Sequence, residues 1–173
     1  NVLSRQGILL DSSNNVLQWN DVRNNVFFYA DQTNKPDYDF AQNAVKGLGA
    51  TGEGLIAKHN PLFNYENDFT FSCYFNFTDL LSVYYLFTKF TDGNNFFSLY
   101  YNSGESALKL GIRTSATYNF SNALNIPNTK FSAGNWYHYM AVKKGNVAGI
   151  FLDGKFITKQ TKIGTLTTNA GGF

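Results

Sequence analysis

Trp136-Tyr137-His138-Tyr139-Met140-Ala141-Val142, followed after a polar turn by Ile150-Phe151-Leu152-Asp153-Gly154-Lys155-Phe156-Ile157, is the stretch on which the fold turns. Asp-Gly tolerates positive φ at both central positions of a type I′ turn. Two apolar runs joined by that dipeptide therefore predict a tight β-hairpin. Upstream, Asn135 and Trp136 open a strand that Lys143-Lys144-Gly145-Asn146 closes as a turn.

Working outward, Phe69-Thr70-Phe71-Ser72-Cys73-Tyr74-Phe75-Asn76-Phe77 alternates cleanly. Phe69, Phe71, Cys73, Phe75 and Phe77 share one face, and Thr70, Ser72, Tyr74 and Asn76 the other, the mark of a half-buried strand. Similar runs at 84–90, 96–101 and 107–113 are separated by Asp92-Gly93-Asn94-Asn95 and Asn102-Ser103-Gly104-Glu105. Residues 7–11 and 16–21 read as short strands around an Asn-rich turn. The span 31–46 reads as loop, and the glycine-dense 47–54 as a bulged strand or turn, because it lacks the Gly-Lys-Ser/Thr ending of a phosphate loop. Short strands with regular turn signals predict a sandwich or barrel rather than a βαβ fold.

Composition agrees. The 173 residues suffice for one all-β domain with a sizeable core. Aromatic residues make up 17% and charged residues only 15%, and rings suit pleated, half-buried strands. Asn is roughly one residue in eight, and with 15 Gly against 3 Pro it predicts many turns. Net charge is +2 with basic residues scattered, whereas a nucleic-acid binder concentrates them into a stripe. One cysteine, Cys73, excludes an internal disulfide and every multi-Cys metal site, and it reads as a small buried hydrophobe. No apolar stretch approaches the ~20 residues of a membrane-spanning helix. The chain opens at Asn1 rather than Met, and Ala170-Gly171-Gly172-Phe173 reads as the start of another strand. The expectation is a single domain over 1–173 that is a piece of a longer chain, with its closing strand or strands missing.

Read in order, these pieces resemble the laminin-G-like domains of the concanavalin A-like lectin/glucanase superfamily. Leu10-Asp11-Ser12-Ser13 with Val16-Leu17-Gln18-Trp19-Asn20-Asp21 resembles their opening. Asp68-Phe69-Thr70-Phe71 resembles the start of their central strand, and Leu86-Phe87-Thr88-Lys89 with Phe97-Ser98-Leu99-Tyr100 the next hairpin. The Trp136 strand and the Leu152-Asp153-Gly154 hairpin resemble their last third. The resemblance implies an all-β, two-sheet antiparallel jelly-roll sandwich of the concanavalin A-like type, used mostly to hold glycans or proteins.

The sharpest enzymatic alternative is glycan hydrolysis, which needs two carboxyl groups about 5 Å apart for retention. The glucanase branch carries Glu-x-Asp-x-x-Glu on one strand. Here Glu66 and Asp68 match, but Phe71 stands in place of the acid/base Glu, so the chain reads as no enzyme. His59 reads as a surface loop residue and His138 as a hydrogen-bonded structural one. No Gly-x-Ser-x-Gly elbow or His-Glu-x-x-His motif is present. Related domains hold calcium at the sandwich rim, so the resemblance implies calcium as the one candidate cofactor. Asp92, at a hairpin tip, is its metal position, and an ordinary Asp-Gly turn is the alternative.

Sugar binding needs an aromatic face for the apolar side of a pyranose and planar polar groups for its hydroxyls. Tyr74, Tyr100 and Arg113, on polar strand faces, and Tyr118-Asn119, in a loop, are the candidate ligand residues, with Lys109 on the same polar face. Asn76-Phe77-Thr78 and Asn119-Phe120-Ser121 fit the glycosylation pattern, as chance allows in an Asn-rich chain. The function expected is lectin-like, non-catalytic recognition of a cell-surface glycan or surface protein, within a larger extracellular or virion-attached adhesion assembly. No nucleic acid and no membrane insertion are expected. The alternative is a structural virion spike, fibre or capsid-decoration domain with protein partners, and a glycan-degrading enzyme is third.

Overall fold

The computed structural model describes residues 3–5, 7–21, 26–30, 34–47, 55–57, 68–92, 95–114, 118–119 and 124–161. Residues 48–54, His59, Glu66 and Ala170-Gly171-Gly172-Phe173, singled out above, lie outside them. The described residues hold strands and one short 3-10 turn, with no α-helix among them. They fall into two compact units, one within Asn1–Asn60 and one within Pro61–Gly171.

In the first unit, β1 (Leu3–Arg5), β2 (Ile8–Leu10), β3 (Val16–Asp21), β4 (Val26–Ala30) and β7 (Leu55–Ala57) form one antiparallel sheet in the order β1-β2-β3-β4-β7. The span 31–46, expected as loop, contains a second small hairpin, β5 (Asp37–Asp39) and β6 (Ala44–Lys46). Its strands are only three residues long, too short for alternation to show, and Asn43 takes positive φ at the turn. Ile8, Leu10, Val16 and Tyr38 form this unit's buried cluster.

Asp11 builds the β2–β3 turn. Its Oδ1 accepts the Ser13 and Asn15 amide N–H groups at 2.9 and 3.0 Å, and its Oδ2 accepts from Asn15 Nδ2 and Lys35 Nζ. Those donors favour the carboxylate and hold its pKa down at about 2.

The second unit is the sandwich. One sheet runs β16 (Lys155–Thr161), β15 (Val147–Leu152), β14 (Tyr137–Lys144), β8 (Phe69–Phe75). The other runs β12 (Tyr118–Asn119), β11 (Ala107–Thr114), β10 (Asn95–Asn102), β9 (Tyr84–Asp92), with β13 (Asn125–Pro127) also on β11. Phe75, Tyr139, Ala141, Ile150 and Leu152 of the first meet Phe97, Leu99, Leu108, Leu110 and Ile112 of the second in one buried core. Aromatic rings knit the two layers: Phe71 to Phe87 at 5.0 Å and Phe69 to Phe97 at 5.7 Å. Such pairs add about 0.5–1.5 kcal/mol beyond the area they bury.

The hairpins close as the sequence predicts. Asp153 and Gly154 have φ of 49° and 74°, the double positive φ of a type I′ turn. Gly145, at φ 54°, turns β14 into β15, and its N–H donates to Asp68 Oδ1 at 2.6 Å, tying that turn to the start of β8. β8 alternates as read, with Phe75 fully buried and Thr70, Ser72 and Tyr74 outside.

Two lysines break the pattern of a purely apolar interior. Lys89 stands opposite Phe97, and Lys143 opposite Phe69, so register puts both on core-facing positions. Both are buried, and desolvation lowers the pKa of each.

Candidate functional site

A sandwich has two outer faces, and the expected ligand residues divide between them. Tyr74 belongs to the outer face of the β8-β14-β15-β16 sheet. Tyr100, Lys109 and Arg113 belong to strands of the opposing sheet. Tyr118-Asn119, expected in a loop, forms the short strand β12, with Asn119 in register with Arg113 and Tyr118 with Thr114. Phe96, the β10 partner of Arg113, lies four residues from Tyr100, about 13 Å along an extended strand. The side chains of Arg113, Tyr118 and Asn119 lie outside the described residues.

Tyr100 is the centre of the most developed site. Its cross-strand neighbour is Tyr85, and the two rings stack with centroids 5.4 Å apart and planes 25° apart. Tyr85 is 67% exposed, a large flat apolar surface held against water by a neighbouring ring. A β-bulge creates this pair. Leu99 faces Phe87 and Tyr100 faces Tyr85, so Leu86 is the extra residue on β9. Both Leu86 and Phe87 then pack against the core. Strict alternation through Tyr84-Tyr85-Leu86-Phe87 would have turned Tyr85 inward, which is why the sequence reading missed it.

On the other side of Tyr100 stands Lys109. It stands on the polar face, as the alternation of its strand predicts, but it is buried at 4%. The reason is its partner: Glu105, one turn back in the β10–β11 connection, accepts from Nζ through both carboxylate oxygens at 2.6 Å. The carboxylate remains 52% exposed and also accepts from Asn102 Nδ2 at 3.1 Å. Asn102 in turn caps its own loop by accepting the Gly104 N–H. The aromatic pair is thus followed on the next strand by Lys109, whose partner at the β10–β11 turn is a half-exposed carboxylate that also holds an amide. Along the same face, Thr88 and Ser98 hydroxyls hydrogen-bond at 2.6 Å. Phe96 lies across Gly111 so closely that a Cβ there would sit 2.8 Å from its ring.

Tyr74, 72% exposed, forms a second aromatic pair with His138 directly opposite on β14, centroids 4.7 Å apart. His138 Nε2 lies 2.6 Å from Ser72 Oγ, and the His138 amide donates to Asp153 Oδ1 at 2.8 Å. The histidine is thus hydrogen-bonded into the sheet, as its strand position suggested, and Asp153 serves its turn.

The residues weighed for hydrolysis have structural jobs where they are described. Phe71 packs between the sheets against Phe87, Phe97 and Tyr139, and Asp68 binds the Gly145 turn. Cys73, largely shielded on the core side of β8, has its pKa raised to about 12 by desolvation. Asp92 ends β9 in register with Asn95, across the hairpin tip as expected, but its side chain lies outside the described residues. No group of three His, Cys, Asp or Glu converges among the described residues, so those residues offer no carboxylate cage for calcium.

Residues 49–173 match the family model Laminin_G_3, described as the concanavalin A-like lectin/glucanases superfamily. No curated protein matches the chain. The match covers the whole two-sheet sandwich and most of the sequence, so the chain belongs to the laminin-G-like family of the concanavalin A-like lectin/glucanase superfamily.

Proposed function

We propose that the chain is a non-catalytic recognition module that holds a glycan on the outer face of the β9-β10-β11 sheet, within an extracellular or virion-attached adhesion or receptor-binding protein. Laminin-G-like domains bind carbohydrate or protein, and glycosidases occur elsewhere in the superfamily. The observation that carries the glycan reading is the Tyr85–Tyr100 stack, with Lys109 opposite Tyr100 on the next strand and the Glu105 carboxylate on Lys109. A pyranose lays its C–H face on an aromatic ring and offers its hydroxyls to nearby carboxylate and amide groups. Here the rings are preformed, and Glu105 and Asn102 already hold each other in place, so little ordering entropy remains to oppose binding.

Glycan-array screening followed by titration tests it. Removing a stacked ring should weaken binding about fivefold, at ~1 kcal/mol beyond area. Tyr85→Ala and Tyr100→Ala should each do so while the melting temperature stays nearly unchanged for the exposed Tyr85. Affinity should vary little with salt, because few charges take part. If neither substitution matters, or affinity collapses between low and moderate salt, the assignment fails. Repeating the titration with a chelator reads the calcium position. Weakened binding that Asp92→Ala reproduces assigns a cation to the Asp92 tip, and unchanged binding leaves Asp92 as a turn residue.

The alternative, a structural domain with protein partners, draws on the Phe151–Phe156 pair. Its rings lie 5.6 Å apart on the β15–β16 hairpin, with Phe156 more than half exposed. An obligate oligomer in sedimentation, dispersed by Phe156→Ser, with an empty glycan array, would select that reading.

A further inference from the structure

We infer that Tyr74 and His138 form a second glycan site on the opposite outer face, so that one copy of the chain bridges two glycan chains. This rests on the glycan reading above. The two aromatic pairs share one construction. Each consists of directly opposed residues on neighbouring strands, Tyr85 with Tyr100 and Tyr74 with His138. Their planes are 25° and 32° apart, and in each pair one tyrosine stands well out into solvent. Hydrogen-bonding groups accompany both: Glu105 and Asn102 beyond Lys109 at the first, Ser72 and Asp153 on His138 at the second.

Core packing does not account for Tyr74. The residues of β8 that pack against the core are Phe69, Phe71, Cys73 and Phe75, all on the other side of the strand. Among the described residues its structural return is the cross-strand pairing with His138, and an exposed pair returns little. His138, by contrast, is oriented twice, through Ser72 at its ring and Asp153 at its amide. A ring so held presents a fixed polar edge beside the tyrosine face.

The strands bearing the exposed tyrosines lie over one another across the core. Phe71 of β8 meets Phe87 of β9, and Phe77, just beyond β8, stacks on Tyr84 at 5.5 Å. Tyr74 and Tyr85 therefore leave the same edge of the sandwich in opposite directions. Two packed sheets stand about 10 Å apart, so no single sugar ring reaches both platforms. Two chains, one on each face, satisfy both.

The test uses the full chain with soluble β-glucan, galactomannan and mucin O-glycans, together with a trisaccharide of whichever polymer binds. Wild type should take two trisaccharides per copy and should raise the light scattering of the polymer by cross-linking it. Tyr74→Ala and Tyr85→Ala should each leave one site at wild-type affinity, weaken the other about fivefold and lower the cross-linking, with melting temperatures nearly unchanged. The double variant should weaken both sites, and Tyr74→Phe should keep both at wild-type affinity. A wild-type stoichiometry of one, or cross-linking that Tyr74→Ala leaves undiminished, overturns the inference while leaving the first site standing. A wild type that binds none of the three polymers overturns both. Binding of a protein in place of sugar at Tyr74 would show as trisaccharide stoichiometry one, and counts against it.

Discussion

Strands β8 and β9 face each other across the sandwich core, and each displays a tyrosine to solvent on its outer side. They reach that state differently. β8 keeps period two throughout, sending Phe69, Phe71, Cys73 and Phe75 inward and Thr70, Ser72 and Tyr74 outward. β9 does not: a bulge at Leu86 sends Leu86 and Phe87 inward together and leaves Tyr85 outside. The difference teaches where local pattern stops being enough. A strand's alternation is written in its own residues, whereas a bulge is decided by what the partner strand offers at each rung, here Leu99 and Tyr100 of β10.

The largest effect expected from this comparison is on the inward side of β8. Phe75→Ala removes a fully buried ring that touches Phe77, Phe131 and Tyr137, and should cost ~3–5 kcal/mol in denaturant melts. A loss below about 1 kcal/mol would mean that β8 does not face the core as described.

Cys73 measures the dryness of the same side. Desolvation pushes its thiol from the ordinary 9.0 up to about 12 in the folded chain. Below pH 9.0 a thiolate-directed reagent should therefore label the native chain at least about tenfold more slowly than the unfolded one. The sign for stability follows. Only the unfolded thiol ionises between pH 9.0 and about 12, so stability falls as pH rises through that window and is indifferent to this group below it. Equal labelling rates would put water on the inward side of β8.

Leu86 and Tyr85 test the bulge itself. Leu86→Ala should destabilise by ~1–3 kcal/mol, because the side chain packs partly buried against the core. Tyr85→Ala should fall within ~1 kcal/mol, the value of an exposed cross-strand pair. Unbroken alternation requires the reverse order, so the two melts together decide whether β9 is bulged. The smallest effect belongs to Thr70→Ala on the outer side of β8, expected within about ±0.5 kcal/mol. A larger loss there would show that something covers that face.

The candidate site was legible in part. Tyr74 and Tyr100 stand out as candidates in the sequence because a tyrosine on the polar face of an alternating strand carries its own signal. Their membership of opposite faces does not, because alternation says which side of a strand a residue takes but not which sheet the strand joins. The alternation of its strand puts Lys109 on the polar face, and side and exposure are not the same thing: it is on that face but buried. Its burial depends on Glu105, held in reach by a turn whose partner the residues of β11 do not name. Tyr85 and His138 needed the pairing register before either could be seen as half of an aromatic pair.

By itself, then, the sequence determined the all-β class, the hairpin turns and the inward side of β8. Each of these follows from forces acting within a few residues: φ > 0 tolerated at Asp153-Gly154, and side chains thrown to alternate faces of an extended backbone. Tertiary structure alone decided which strands pair, where β9 bulges, and which rings meet across strands to make a platform. Those outcomes depend on contacts between residues far apart in the chain, such as Tyr74 with His138, and no local pattern of residues encodes a distant partner.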